Sequence, residues 1–581
     1  MEFCDLIKTP KLENVILHTQ LKDPIVGSFC LTFSHIIISS RKNENSEFEL
    51  WLLHQNIDTV ERKPYLVNQQ LIDLPGKGHQ LILKCKDLSI IIIEISTAQD
   101  FLNVASSIEQ LSSIRDPKML YAFYYRPMYS LLENGFTMFR PEIEFSKLLA
   151  SEEWRISNVN NTYEVCSSYS SKVIVPKMIT DEQLIQSSTF REEGRFPLLS
   201  YKHESNGATM MKSSQPNPNT SKRCRADEAI LNYLLTKSQK GFIVDTWGGG
   251  KNPSKSNSEN EQHYSQWKKV VRPIGNFNHP SGILDCFAKI VEACNDTNST
   301  TEKWLSRLEA SGWLTLVLNS LNTSCIVAQC LAQEGAPVLV HGGKGMDSTL
   351  IVTSLVQIIL NPDCRTVRGL QALIDREWLQ SGHPFGTRHC QSCYTSPTNR
   401  LKTSGASFVL FLDCVYQLYT QFPCSFEFDS HLLIILFEHS YFSQYGTFIA
   451  DSENERIELM AFNKTTSLWS HLNRPDVMTS LLNPAYEPNQ SIIWPSVAPL
   501  SLVLWSDLYL RFVVENPYTK KITQQIQVML NTEKELRSRV VRLRKQLTDL
   551  QKEYDEARGD ETNNNDNSNT ISNTSLLNGA N

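Results

Sequence analysis

The sequence predicts a multidomain chain with three parts: a β-rich N-terminal domain, a central α/β domain built around a glycine-dense loop, and a C-terminal α-helical coiled coil. Three observations carry this. Short β-branched runs separated by turn residues fill roughly the first hundred positions. A short apolar run, APVLV, passes through HGGKGMDST into the apolar-periodic segment 350–360. That order of strand, tight turn and helix aims successive backbone N–H groups and a helix N-terminus at one point, which is how proteins hold phosphate. From Ile522 onward, apolar residues recur at alternating steps of four and three.

Composition narrows the function classes. With 581 residues, 41% hydrophobic and 20% charged, the chain is long enough for two to four domains with sizeable cores. A formal net charge of -6 argues against a nucleic-acid binder, which would carry a basic excess. The opening MEFCDLIKTPKLE is charged throughout, and no uncharged apolar run of about 18 residues is evident downstream. The expectation is a chain neither secreted nor transmembrane. Fourteen cysteines without regular spacing read as reduced thiols. Cys390 and Cys393 form one C-x-x-C beside His389, but no second pair stands at zinc-ribbon spacing, so neither metal nor cofactor is expected.

Residues 1–115 hold seven predicted strands: Val15 to His18, Ser28 to Thr32, His35 to Ser39, Phe48 to Leu53, Ile57 to Arg62, Gln80 to Lys84 and Leu88 to Ile95. They suggest a sandwich or barrel. A helix capped by Ser96 or Thr97 closes it, with Phe101, Leu102, Val104, Ile108 and Leu111 along one face. This is the pattern of a pleckstrin-homology-like fold. Lys8, Lys11, Lys22, Arg41 and Lys42 are candidate lipid contacts, with a solvated face as the favoured reading.

The block 120–510 carries an ordered series of motifs: AFYYRP, WRISNVNNTYEVCSSYSSKVIVPK, FREEGRFPLLSY, SSQP, GLQALIDREWLQSGHPF, FLDCVYQLYTQFPCSFEF and WPSVAP. Trp304 to Leu318 reads as an amphipathic helix, and His203 to Arg225 and Gly248 to Ser265 as polar surface loops. The loop itself does not fit a nucleotide P-loop, because Lys344 is followed by Gly345 rather than Ser or Thr and no glycine has the required upstream spacing.

Taken together these segments resemble the myotubularin family, phosphoinositide 3-phosphatases of the cysteine-dependent type whose loop reads V-H-C-S-D-G-W-D-R-T. The resemblance implies a PH-GRAM version of the N-terminal domain and a cysteine-phosphatase-like α/β domain. Aligned on His341, Gly345, Asp347 and Thr349, the family's nucleophilic cysteine falls on Gly342 and its phosphate-clamping arginine on Ser348. Gly343, Lys344 and Met346 complete a degenerate loop in which Lys344 replaces an aspartate. A low-pKa thiolate and a planar guanidinium are what phosphoryl transfer through a cysteine needs, and losing one such residue costs orders of magnitude in rate. No catalytic residue is therefore assigned. Asp347 matches the family's general acid, and its expected role here is to brace the turn by accepting backbone N–H groups. Asp245, Thr246 and Trp247 stand where the family tends to place D-A-R-P or D-T-R.

In residues 518–557, Ile522, Ile526, Met529, Glu533, Leu536, Val540, Leu543, Leu547, Leu550 and Tyr554 form the coiled-coil seam. Residues 558–581 have almost nothing to bury and are expected to be disordered. The resemblance points to the family's catalytically inactive subgroup. It implies an adaptor and regulatory subunit that heterodimerises with active myotubularin-related phosphatases, with phosphoinositide membranes as a further partner of the N-terminal domain and a cytoplasmic, endomembrane-associated location.

Overall fold

The computed structural model describes residues 6–20, 22–41, 47–67, 70–71, 78–218, 223–237, 240–247, 263–275, 279–296, 300–512 and 517–562. The C-terminal helix with Pro484–Glu487 forms one compact unit and the rest of the described chain another.

The seven sequence-predicted strands are present as β1 (Lys11–Thr19), β2 (Lys22–Leu31), β3 (His35–Arg41), β4 (Glu47–Leu53), β5 (Ile57–Lys63), β6 (His79–Cys85) and β7 (Ile90–Ile95). They pair antiparallel in the order β4-β3-β2-β1-β7-β6-β5. The end strands β4 and β5 are consecutive in the chain, joined by the 3-10 turn His54–Asn56, so the sheet must curl until its edges approach. Alternation decides the inner face: Ile91, Ile93 and Ile95 point in while the residues between them do not. Helix α1 (Ala98–Ser112) covers that face with Phe101, Val104, Ala105, Ile108 and Leu111. Leu102, expected on the buried side, is 41% exposed, because the inner stripe runs through Ala105 instead.

The central domain holds β8 (Leu198–Lys202), β9 (Thr209–Ser213), β10 (Gly241–Asp245), β11 (Trp267–Val271) and β12 (Val338–His341) in the order β8-β9-β12-β10-β11. All neighbours are parallel except β8 with β9. Three expectations are corrected here. The segment His203 to Arg225 is not simply a surface loop: its residues Thr209–Ser213 form a fully buried strand beside β12. The larger part of Gly248 to Ser265 lies outside the described residues. The helix expected over Trp304 to Leu318 is two helices, α2 (Thr301–Ala310) and α3 (Trp313–Ala332), broken at Gly312, whose φ of 71° lies in the left-handed region that glycine tolerates.

Helix α3 also corrects the reading of apolar runs. Its 20 residues carry no charge and are long and apolar enough to cross a membrane, yet Val317, Leu321, Val327, Ala328 and Leu331 are buried in the domain core. Against it packs α4 (Ser348–Leu360), buried along its whole length, and behind that α5 (Ser407–Gln421). A helix apolar all round is a core helix, and α4 starts directly from the loop at its N-terminus.

The second unit is α6 (Pro517–Thr562), which continues past the expected end at residue 557. Met529, Leu536, Val540, Leu543, Leu547, Leu550 and Tyr554 are exposed along it, with Glu533 among them bonded to Arg537 one turn on. The side chains of Ile522 and Ile526, and the tail from residue 563, lie outside the described residues.

The candidate phosphate-loop site

Parallel pairing brings three strand ends to one level: Ser213 of β9 and Asp245 of β10 both stand opposite His341 of β12. In open α/β sheets this carboxyl edge is where ligands sit. The three exits, Ser213–Gln215, Asp245–Trp247 and the loop from Gly342 to Asp347, therefore form one site at the N-terminus of α4.

The loop is an ordered turn. Gly345 donates its N–H to the Gly342 carbonyl at 2.8 Å, and Gln215 donates to the Gly343 carbonyl at 2.9 Å. Buried Arg195 donates through Nη2 to the Gly345 carbonyl at 2.9 Å, and His383 donates from Nδ1 to the Met346 carbonyl at 2.7 Å. Gly343 and Gly345 have φ of 50° and 70°. Gly345 has a second reason to be glycine, since a Cβ there would stand 2.5 Å from the Ser213 carbonyl oxygen.

Gly342 differs. It has no positive φ, and what demands glycine there is Thr246: a Cβ on Gly342 would stand 2.2 Å from Thr246 Oγ1 and 3.0 Å from Ser348 Oγ. Thr246 Oγ1 donates to the His341 carbonyl at 3.1 Å and shares a 2.8 Å hydrogen bond with Ser348 Oγ, all three groups being buried. The Trp247 ring reaches to 3.5 Å of where a Gly343 Cβ would be. The two loop positions of interest and the β10 exit are thus one packed set.

Asp347 does not brace the turn as expected. It sits at the N-cap of α4 but makes no side-chain cap bond. Instead Arg388 donates to it twice, Nε to Oδ1 at 3.0 Å and Nη2 to Oδ2 at 2.8 Å, and Ser407 Oγ adds a third bond at 2.8 Å. A guanidinium fork outcompetes single amides for a buried carboxylate. Burial alone would raise the carboxyl's pKa, but Arg388, His383 and Ser407 together hold it well below the usual carboxylate range. An acid so fixed carries no proton to give near neutral pH. Burial pushes the neighbouring His383 imidazole down to about 4. Lys344 is exposed and reaches Glu193 at 2.6 Å, an ion pair of the kind that contributes little.

Beneath the loop, Lys212 and Glu377 form a buried pair at 3.0 Å, with Ser200 and Thr353 also donating to Glu377. Arg191 grips Asp227 through two bonds. His389, Cys390 and Cys393 do not converge on a metal: among the described residues no group of three His, Cys, Asp or Glu is placed to hold one. His389 stacks on Tyr441 and donates to the Ser440 carbonyl, and burial pushes the Cys393 thiol up.

Chemically, the site offers backbone amides and a helix N-terminus that favour an anion, with no thiol and no guanidinium in the loop sequence. Thr246 and Ser348 are engaged with each other, and Asp347 with Arg388 and Ser407. Sequence reading did not assign roles to Arg388, Arg195, His383 or Thr246. A partial signal existed for Arg195, which directly precedes the apolar FPLL, because a buried arginine needs fixed partners.

A pleckstrin-homology-like sheet followed by a parallel α/β domain with a glycine-rich loop at its carboxyl edge defines a GRAM domain joined to a phosphatase-type domain. Residues 120–457 match the myotubularin-like phosphatase domain and residues 11–112 the GRAM domain described for MTMR6-9. The chain belongs to the myotubularin family. It is 45% identical over 566 residues to human myotubularin-related protein 9, covering 95% of this chain and 99% of that protein. To the Caenorhabditis elegans myotubularin-related protein 9 it is 37% identical over 580 residues, again 95% and 99% of the two chains. To the human phosphatidylinositol-3-phosphate phosphatase MTMR7 it is 32% identical over 523 residues, 87% of this chain and 76% of that one.

Proposed function

We propose that this chain is a catalytically silent member of its family, an adaptor that binds active myotubularin-related phosphoinositide 3-phosphatases through α6 and raises their activity, stability or membrane targeting. The observation that carries the reading is Gly342: the position that the family resemblance gives to the nucleophile has no side chain, and its space is filled by the Thr246 hydroxyl. Ser348, at the position of the arginine, is hydrogen-bonded to the same hydroxyl. His341, the side chain that would have to serve as nucleophile in an active enzyme, is fully buried.

The apolar stripe of α6 supports the partner half of the reading, because an exposed two-position seam is stable only when another helix covers it. The GRAM domain supplies the contact with phosphoinositide membranes, and the complex works on the cytoplasmic face of endomembranes.

The test takes its substrates from the relatives whose names state an activity, phosphatidylinositol 3-phosphate and phosphatidylinositol 3,5-bisphosphate. The purified chain is expected to release no phosphate from either. Mixed with an active relative it is expected to co-purify and to raise that enzyme's turnover, and a variant ending before Pro517 to do neither. Phosphate release by the pure chain overturns the silent reading. Membrane binding without co-purification of a relative would instead make the chain a scaffold.

A further inference from the structure

Asp347 is retained in a loop that offers it no proton-transfer partner, and its bonds lead away from the loop. Arg388, which grips it, accepts the Gly405 N–H on its own carbonyl and donates through Nη1 to the Thr403 carbonyl at 2.7 Å. Five residues upstream, His383 holds the Met346 carbonyl. Downstream the same segment meets the N-terminal domain. Buried Lys86 points its ammonium at the His389 carbonyl, 3.4 Å away. Asp58 Oδ1 accepts from the Ser392 N–H at 2.9 Å and from Thr395 Oγ1 at 3.0 Å. Tyr394 donates to the Leu88 carbonyl at 2.8 Å, and Leu88 is packed into the central domain's core.

Residues 383–395 are therefore a strap with one end on the loop and the other on β5 and the β6–β7 turn. We propose that Asp347 is the anchor of this strap, so that the loop and the N-terminal domain are energetically coupled: what loosens one loosens the other. The physical case is that, among the described residues, Asp347 is the carboxylate that Arg388 is hydrogen-bonded to, while Asp451 acts on it only from a distance and is itself bonded to Thr387. Removing the charge from Asp347 leaves a buried guanidinium short of an anion, which breaks the strap's hold where it passes residue 388. The carboxylate on the far side, Asp58, fixes a backbone N–H and a hydroxyl of the strap at once, so its loss frees residues 392–395 in the same way. Coupling of this kind is reciprocal. The proposal stands whether or not the chain turns over a substrate.

The experiment is hydrogen exchange by mass spectrometry on the full-length protein and on Asp347→Asn, Asp58→Asn and the double variant. Asp347→Asn is expected to raise exchange in peptides covering 389–396 and in β5 by about tenfold, the scale of one lost charge-assisted bond. Asp58→Asn, at the partly exposed end, is expected to raise exchange in return at residues 345–351. Residues 11–15 of β1, which lie outside its pairing with β7 and away from the β6–β7 turn, serve as the unmoved reference. The two effects are expected to be less than additive in the double variant, since each opens the same strap. If Asp347→Asn fails to fold, Arg388→Lys, which keeps the charge and loses the fork, is expected to give the same pattern more weakly. The proposal is overturned if the effect of Asp347→Asn stops at residues 345–351 and 403–407, or if Asp58→Asn leaves the loop's exchange unchanged.

Discussion

Gly342, Thr246 and Ser348 have to be understood as one unit, because each occupies space or bonding capacity that the others define. A cysteine placed at 342 would bring its Cβ to 2.2 Å from Thr246 Oγ1, and Thr246 is held there by the His341 carbonyl and Ser348. Gly342→Cys alone is thus an overpacking change, expected to cost about 1–3 kcal/mol and to lower the thermal midpoint by a few degrees. Adding Thr246→Ala removes the clash and should return most of that loss. A Gly342→Cys variant as stable as the native chain would contradict the packing. Neither Gly342→Cys nor Ser348→Arg, nor the two together, is expected to give measurable phosphoinositide turnover while Thr246 stands. The loop's glycines and its missing thiol were legible in the sequence. The contact with Thr246 was not, because it joins positions about a hundred residues apart that only the β10–β12 register brings together. The same holds for Asp347, where a local turn role was the natural expectation and a distant fork, Arg388, took the carboxylate.

At the scale of elements, the sequence located all seven N-terminal strands, since alternation over a buried face is a strong signal, although β2 begins at Lys22, six residues before the expected Ser28. It lost β9 because TMMKS is flanked by Ser, Asn, Gly and Lys, and composition averaged over the stretch hides five buried residues. It fused α2 with α3 because the apolar stripe runs on across Gly312. That glycine gives a clean test: a Cβ there would meet only Cys286 Sγ at 3.6 Å, so space is no obstacle and the left-handed φ alone resists a side chain. Gly312→Ala is expected to cost about 1 kcal/mol, read as a lower denaturant midpoint, and a gain in stability would contradict it. In α6 the seam is interrupted by Glu533, whose carboxylate is bonded to Arg537. Arg539 and Arg544 fall at flanking positions that would oppose each other in a parallel copy. Together these disfavour self-pairing and favour a partner with acidic flanks. Glu533→Leu should therefore strengthen self-association of the full chain by roughly tenfold in sedimentation equilibrium, and an unchanged monomer–dimer balance would count against the seam.

Across the whole molecule, pH acts on buried imidazoles. Burial pushes His54, His383 and His439 down to about 4 and His389 to about 3. Such groups are neutral in the folded chain and protonate more readily once unfolded, so their contribution is complete above the ordinary histidine range and is lost as pH falls toward 4. Asp375 opposes them. Burial raises it to about 6, so its contribution is present at low pH and is lost as pH rises through 6. Four groups outweigh one, and stability is expected to fall steadily from about pH 6.5 to pH 4. Asp375→Asn, which removes the opposing group, should steepen that fall. A stability flat across the range in urea titrations would contradict the burial of these side chains. His54, His389 and His439 all line the cleft of about 940 Å³ between the N-terminal and central domains, so acid should act at that junction early.

The central claim is that the chain works by binding and not by turnover. The measurement that meets it most directly is phosphate release from phosphatidylinositol 3-phosphate by an active myotubularin-related phosphatase, alone and with this protein added intact or truncated before Pro517. The account predicts no release by this protein alone, a raised rate when the intact chain is present, and no rise with the truncated chain. Release by the pure protein, or an equal rise with the truncated chain, would contradict it.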